Sequence, residues 1–244
     1  MLDATNTSWE IGERRPEIAV FGIGATEQHS VHLPLGTDWI AVSDLARRVA
    51  EELDAFLVPA LPFSMSECHG PMAGTVWLKP KTLAAVVRDV VLSLRAQGFR
   101  KVLLLNGHGG NFVLEAEIRR LNRTYPDTIV LMPPLVLSPG PDEAPLWNKG
   151  VGIHASESET SRQLYLHPEW VKDERVDYLP PVGREFLDYA YMGFLSEWGV
   201  WGHPSYGTAE KGERATAYEV QHLVAWARET FARVEALRRA GEEA

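Results

Sequence analysis

The sequence of 244 residues has almost no cysteine, since Cys68 is the only one. A single cysteine excludes an intrachain disulfide and any zinc cluster built on several thiolates. It also fits a reducing compartment, so we expect a cytoplasmic protein. No apolar run approaches the length needed to span a bilayer, and the charged first twenty residues lack the core of a signal peptide. We therefore expect no membrane partner.

Basic residues are also fewer than acidic ones. The chain has 24 Lys and Arg residues against 33 Asp and Glu residues, which gives a net charge of −9. Proteins that bind nucleic acid by neutralising phosphates have the opposite excess, so no nucleic-acid partner is expected. Because the sequence shows no internal repeat and no low-complexity linker, we interpret residues 1–244 as a single domain.

Short apolar runs alternate with amphipathic segments through the first half of the chain. Strands are predicted at 18–23, 55–61, 101–105 and 128–132. Helices are predicted at 39–53, 81–97, 112–124, 157–166 and, as one long helix or two abutting ones, 208–240. This alternation predicts an α/β fold, a three-layer α/β/α arrangement with a mainly parallel central sheet.

Residues 27–38 follow the first predicted strand and contain two carboxylates and two imidazoles. The segment has the periodicity of neither a helix nor a strand, so we interpret it as a loop at the carboxyl end of that strand. Sheets of α/β proteins bind ligands at this edge, and oxygen and imidazole donors gathered there indicate a divalent metal site. The alternative is a polar loop whose His and Asp side chains cap the next helix.

The Gly-rich turn 106–111 follows the third predicted strand and places His108 at the same edge of the sheet. Its glycines allow the backbone to approach a bound group closely. The alternative is a phosphate cradle, although the turn lacks the Lys and the spacing of a P-loop.

A third polar segment, 154–161, begins with His154 and enters a predicted helix. The alternative for this segment is helix capping, with Ser156 as the cap and Glu157 and Glu159 in the positively charged first turn. Capping explains the carboxylates but leaves His154 without a role.

In order and spacing, segments 24–38, 106–111 and 154–161 resemble the signature blocks of the creatininase family, the creatinine amidohydrolase-like proteins. Residues 209–213 resemble a fourth block. The resemblance implies one α/β domain with a two-metal centre that hydrolyses carbon–nitrogen amide bonds, with zinc, manganese or iron as the metals. It also implies a homo-oligomer, commonly a hexamer.

The same resemblance implies roles for four residues of the first two blocks. Glu27 and His29 would each hold a different metal, Asp38 would bridge both, and His108 would join Glu27 on the first metal.

The ligand set of the second metal departs from creatininase proper, which has a carboxylate where this chain has Gly110. Glu157, typical of the relatives of creatininase, is the expected replacement, and Glu159 is the alternative. Further departures at 30–31 and 72–73 argue against creatinine itself as the substrate. Relatives that also have two glycines at the positions of Gly109 and Gly110 include formamidopyrimidine deformylases and peptide-processing enzymes.

Such a centre has a simple chemistry. A carboxylate bridge holds two ions about 3.5–4 Å apart, and the hydroxide between them attacks an amide carbonyl. His154 is the expected general acid for the leaving nitrogen, and Glu159 orients His154 or a ligand. We therefore expect a hydrolase of carbon–nitrogen bonds other than peptide bonds, acting on a small cyclic amide, a formamide or a related compound.

Two other functions stay open at this point. One is a metal-dependent phosphoesterase that uses the Gly-rich turn as an anion cradle. The other is a non-catalytic metal-binding relative that kept the ligands and lost turnover.

Substrate choice is expected to depend on loops 62–80 and 133–150 and on the aromatic segment 190–206. Candidate pocket residues outside the ligand set are His32, His69, Trp147, Trp198 and Trp201. The many aromatic residues of 190–206 predict either an interface in a homo-oligomer or a pocket rim.

Overall fold

The computed structural model describes residues 1–134, 146–148 and 152–242. Its described strands form one sheet in the order β2-β1-β3-β4, with every neighbouring pair parallel. The strands are β1 (Ile18–Ile23), β2 (Phe56–Leu61), β3 (Lys101–Asn106) and β4 (Ile129–Leu131). The predicted α/β class and mainly parallel sheet are confirmed.

Seven α-helices accompany the sheet in the described part of the chain. They are α1 (Ser8–Arg14), α2 (Thr37–Glu52), α3 (Pro80–Ala96), α4 (Val113–Thr124), α5 (Glu157–Leu166), α6 (Met192–Leu195) and α7 (Ala209–Glu242). The last is one continuous helix. None of the helices within the described ranges combines the length and apolarity that crossing a membrane requires.

Two of these helices, α1 and α6, were not predicted. Helix α1 buries none of its residues, so it has no apolar periodicity to detect. Its sequence signal is instead a capping box, in which the Glu10 side chain accepts from the backbone N–H of Thr7 at 2.6 Å.

Alternate residues of the central strands face opposite helical layers. Val20 and Leu103 pack in a core with α2 and α7, whereas Phe21 and Leu104 pack in a second core with α3 and α4. This alternation is the period of two expected for a strand buried on both faces. The result is the predicted three-layer α/β/α arrangement.

The two central strands end side by side, with Ile23 paired to Asn106. A Cβ atom added at Gly24 would lie 2.4 Å from Cα of Trp39, so only glycine lets the start of α2 pack directly on the end of β1. This contact places the first turn of α2 beside the turn that follows β3.

The predicted specificity loop 133–150 is described only at residues 133–134 and 146–148. Its remaining residues lie outside the described part of the chain.

Candidate metal centre

The first predicted ligand segment is a folded loop between β1 and α2. The loop turns back on itself, since the N–H of Glu27 donates to the carbonyl oxygen of Leu35 at 2.9 Å. Glu27 and His29 are 1% and 0% exposed, and Asp38, in the first turn of α2, is 5% exposed. Buried polar groups of this kind require partners, and those partners define the site.

Glu27, Asp38 and His108 form one group of side chains that could hold a metal ion. Nδ1 of His108 lies 3.2 Å from Oε1 of Glu27 and 3.0 Å from Oδ2 of Asp38. Nε2 of the same ring donates to the carbonyl oxygen of Met65 at 3.0 Å. Without a metal, Nδ1 donates to Oδ2 of Asp38, and a metal ion would replace that proton and take the Nδ1 lone pair as a ligand.

His29, Asp38 and Glu159 form another such group. Nε2 of His29 lies 3.2 Å from Oδ1 of Asp38 and 3.8 Å from Oε1 of Glu159. Nδ1 of His29 donates to the backbone oxygen of Glu27 at 3.1 Å, which leaves the lone pair on Nε2. Asp38 belongs to both groups, with a different oxygen turned to each histidine.

Oε2 of Glu27 and Nε2 of His29 are buried and have no hydrogen-bond partner among the described residues. Nε2 of His29 is near Asp38, but the two groups are not in hydrogen-bonding geometry. Buried polar atoms are normally satisfied, and a divalent cation accepts both carboxylate oxygen and imidazole nitrogen as ligands. The donor set therefore fits metal ions.

The charges within the site oppose one another. Burial disfavours the charged form of Glu27, but His108 and two further histidines outweigh it and hold the pKa of Glu27 well below its usual range. Burial likewise disfavours the charged forms of His29 and His108. The carboxylates of Asp38 beside His29 and of Glu27 beside His108 nevertheless hold both histidine pKa values well above the usual range. Without a metal, protons on these histidines therefore balance the carboxylates, and a divalent cation would displace those protons and take over that role.

His154 lies against both Glu27 and His29. Nδ1 of His154 is 3.6 Å from Oε1 of Glu27, and its ring centroid is 4.2 Å from that of His29. Nε2 donates to the backbone oxygen of Gln28 at 2.6 Å. Burial and the neighbouring His29 lower the pKa of His154, so the ring is neutral at rest with the Nδ1 lone pair facing the site.

The backbone around His154 is held in an unusual conformation. Ala155, which is fully buried, has a φ of +47°, in the left-handed region that an alanine rarely adopts. The backbone of His154 also forms a bridge with Trp201, whose N–H donates to the carbonyl oxygen of His154 at 2.9 Å. Trp201 is therefore a buried residue whose backbone holds the backbone of His154 in place.

The two glutamates of α5 have different environments. Oε1 of Glu157 lies 2.5 Å from Nζ of Lys211, and Oε2 accepts from the backbone N–H of Asn148 at 3.0 Å. Oε1 of Glu159 faces His29, while Oε2 accepts from the N–H of Ser156 at 3.1 Å. Thus Glu159 belongs to the group formed by His29 and Asp38, whereas Glu157 forms an ion pair with Lys211.

Gly110 has no room for a side chain. A Cβ atom there would lie 2.4 Å from the carbonyl oxygen of Met65 and 2.5 Å from Nε2 of His108. The turn therefore positions His108 but leaves no space for a carboxylate side chain at residue 110.

Two residues of the site were not assigned a role from the sequence. Gln28 lies between the ligands Glu27 and His29, and its carboxamide touches residues from two other segments. Lys211 stood in the fourth block, but its partner Glu157 is distant in the chain. Both residues lie in segments that resemble family blocks, and this is the sequence signal that could have pointed to a role for them.

The described residues line a cavity of about 2150 Å³ over the site. His69 and Trp147, two of the predicted pocket residues, lie in its wall. Tyr189 and Phe194 also line it, although they are 82% and 77% exposed. His32 is buried, with Nε2 2.9 Å from the Thr160 hydroxyl.

The chain is similar in sequence to known proteins. A family model named Creatininase, described as creatinine amidohydrolase, matches residues 4–227. The mycofactocin precursor peptide peptidase of Mycobacterium tuberculosis (strain CDC 1551 / Oshkosh) is 30% identical, over 89% of this chain and 87% of its own. The creatinine amidohydrolase of Pseudomonas putida is 28% identical, over 67% of this chain and 70% of its own.

Solved structures show the same similarity. A candidate creatinine amidohydrolase from Bacteroides fragilis NCTC 9343 has a TM-score of 0.79 and 31% identity, covering 93% of this chain and 95% of that one. A creatininase variant of the Zn-Zn type has a TM-score of 0.78 and 25% identity, covering 94% of this chain and 98% of that one.

Proposed function

Because the chain belongs to the creatininase family of metal-dependent amidohydrolases, we propose that it binds two divalent ions and hydrolyses a carbon–nitrogen amide bond. One metal is held by Glu27, Asp38 and His108, and the other by His29, Asp38 and Glu159. Each set consists of oxygen and imidazole donors from one of the two groups described above.

The observation that carries this proposal is the position of Asp38. Its Oδ2 lies 3.0 Å from Nδ1 of His108, and its Oδ1 lies 3.2 Å from Nε2 of His29. A carboxylate whose oxygens face two separate histidines is arranged to bridge two ions. Capping of α2 would explain only one such contact.

Glu159 is proposed as the second-metal carboxylate in preference to Glu157. It supplies an oxygen to the same group as His29 and Asp38, whereas the Glu157 carboxylate is neutralised by Lys211. The crowded turn at Gly110 cannot supply one. Glu159 therefore has a ligand role in addition to orienting its neighbours.

The metals are proposed to be zinc, manganese or iron, and the Zn-Zn type of the related creatininase variant supports zinc. Two bound ions supply Lewis acidity at a carbonyl oxygen and lower the pKa of water to near neutrality.

The chain's own contribution to the reaction centres on His154. With Nε2 held by the Gln28 carbonyl oxygen, Nδ1 is the atom that takes up the proton lost by the attacking water and passes it to the leaving nitrogen as general acid.

The substrate is proposed to be a small cyclic amide, a formamide or a related compound. One relative is named for creatinine and another for a precursor peptide. The described residues leave an open cavity of about 2150 Å³ over the site, and because one relative is named for a precursor peptide, a peptide belongs in the test.

The test is to load the purified chain with Zn²⁺, Mn²⁺ or Fe²⁺, count the bound metal and offer creatinine, N-formylaniline, a short peptide and p-nitrophenyl phosphate. We expect two ions per chain and cleavage of the carbon–nitrogen bond of at least one amide. Hydrolysis of the phosphate alone would favour a phosphoesterase. Full metal content with no turnover would favour a non-catalytic metal-binding protein.

We further propose a closed homo-oligomer, a hexamer by the family resemblance, in the cytoplasm. Exposed aromatic side chains of the predicted segment support an interface, since Tyr191 is 41% and Phe194 is 77% exposed. Large exposed aromatic residues commonly mark protein contacts.

A further inference from the structure

The side-chain amide of Gln28 is buried beside the metal ligands, and its orientation is fixed by two unambiguous partners. Oε1 accepts from the backbone N–H of Ser30 at 3.0 Å, a group that can only donate. Nε2 donates to the carbonyl oxygen of Gly199 at 3.1 Å, a group that can only accept. The amide nitrogen therefore has one hydrogen left for another acceptor.

That hydrogen goes to His69, whose Nδ1 lies 2.8 Å from Nε2 of Gln28. Nδ1 of His69 must be the acceptor, because the amide nitrogen has no lone pair to offer. The imidazole is then neutral, with its own hydrogen on Nε2. Nε2 of His154 is 3.0 Å from the same amide nitrogen, but it donates to the backbone oxygen of Gln28 instead.

The Nε2–H of His69 is directed into the site. Its nearest carboxylate oxygen, Oε1 of Glu27, is 3.7 Å away, which is beyond hydrogen-bond distance. The ring lies 4.3 Å from that of His154, centroid to centroid, and lines the cavity. An N–H at this position is available to a bound ligand next to the first metal's carboxylate.

We propose that His69 is a catalytic residue that donates a hydrogen bond from Nε2 to the substrate's carbonyl oxygen as negative charge develops on it. Gln28 is the positioning residue that fixes the donating tautomer. No proton is transferred in this step. The inference rests on the proposed amide hydrolysis, in which a tetrahedral oxyanion forms and fixed donors stabilise it.

Three variants separate this role from a structural one. His69→Phe keeps a flat ring without a donor, His69→Gln returns an N–H close to the position of Nε2, and Gln28→Leu removes the donor that fixes the tautomer. His167→Phe is the matched control, because His167 is a half-buried histidine that is stacked on Trp170 and does not line the cavity over the site.

Two anions serve as probes of the zinc-loaded protein, with binding measured by calorimetry. Dimethylphosphinate copies the tetrahedral oxyanion and acetate copies a planar carboxylate. We expect His69→Phe to weaken dimethylphosphinate by about 10- to 100-fold, as for the loss of a hydrogen bond to a charged oxygen, and acetate by less than about threefold. His69→Gln should restore most of the preference, and His167→Phe should leave it unchanged.

The tautomer is measured directly by ¹H–¹⁵N NMR of protein labelled at histidine, with His69 assigned by its variant. We expect a neutral ring protonated at Nε2, and a mixture of tautomers in Gln28→Leu. A ring protonated at Nδ1 would overturn the proposal. So would equal weakening of both anions, or loss of zinc from His69→Phe, because His69 would then act by positioning Glu27.

Failure of this inference can be distinguished from failure of the proposed function. If the zinc-loaded protein hydrolyses none of the amides but its preference for dimethylphosphinate still depends on His69, the donor stands and amide hydrolysis fails. If amides are hydrolysed and the preference does not depend on His69, the donor fails and amide hydrolysis stands.

Discussion

The ammonium group of Lys211 lies 2.5 Å from Oε1 of Glu157, a carboxylate that is 1% exposed. This ion pair joins the first turn of α5 to the first turn of α7. A carboxylate already neutralised by a lysine is a poor ligand for a cation, whereas Glu159 in the same turn has one oxygen turned to His29.

The two glutamates of α5 should therefore respond differently to the same substitution. We expect Glu159→Gln to empty one of the two metal sites, because it removes the charged oxygen from the group with His29 and Asp38. Glu157→Gln should keep both metals but lower the free energy of unfolding by roughly 1.5–3 kcal/mol, the value of a hydrogen bond between charged partners. Metal analysis and thermal unfolding of both variants provide the measurement, and loss of metal from Glu157→Gln alone would reverse the assignment.

Asp38→Asn should abolish turnover and leave a folded chain. A neutral amide cannot balance two divalent ions, and its nitrogen cannot act as a ligand. Elemental analysis and circular dichroism of the purified variant are the measurements. Retention of two tightly bound ions together with full activity is incompatible with a bridging role.

His154→Ala should lower turnover far more than metal content. The expected loss is about 10²–10⁴-fold in kcat, as for a missing general acid, with both ions retained. Because His154 also lies within reach of Glu27 and His29, parallel loss of metal and activity would make it a ligand instead.

Gly110→Ala should destabilise the protein by about 1–3 kcal/mol, the usual cost of overpacking. The added Cβ would meet the carbonyl oxygen of Met65 and Nε2 of His108, so the first metal should also bind more weakly. Gly12→Ala is the control, since a Cβ there meets nothing within 4 Å and lies in α1. That control should gain about 0.5–1 kcal/mol from the higher helix propensity of alanine. An unchanged unfolding temperature for Gly110→Ala would show that the turn can relax.

Assembly is tested by light scattering. A closed oligomer gives a mass that is a multiple of 27.2 kDa, and Phe194→Ser should reduce it by removing an exposed aromatic side chain. A fully active monomer at micromolar concentration would mean that Phe194 serves only the rim of its own cavity.

The sequence predicted the layers of the fold well because buried strands and amphipathic helices have strong patterns. Leu103 and Leu104, for example, pack on opposite faces of the sheet. A strand that is buried on both faces has an unbroken apolar run, and the sequence shows such a run here. Helix α1 was missed for the converse reason, since it buries no residue.

The site was predicted only in part, because several of its contacts join residues that are far apart in the chain. Glu157 and Glu159 share one helical turn, and the difference between them depends on Lys211 and His29. Nor could the sequence assign Gln28, whose role depends on His69 and Gly199.

The left-handed backbone at Ala155 limits what evolution or an engineer can place there. The residue follows His154 directly, has a φ of +47° and is fully buried. Glycine, and to a lesser degree asparagine, adopts this conformation readily, while valine, isoleucine and threonine do so only as outliers. A library randomised at position 155 and selected for metal retention should therefore return small residues and exclude β-branched ones, although residue 155 is not itself a proposed ligand.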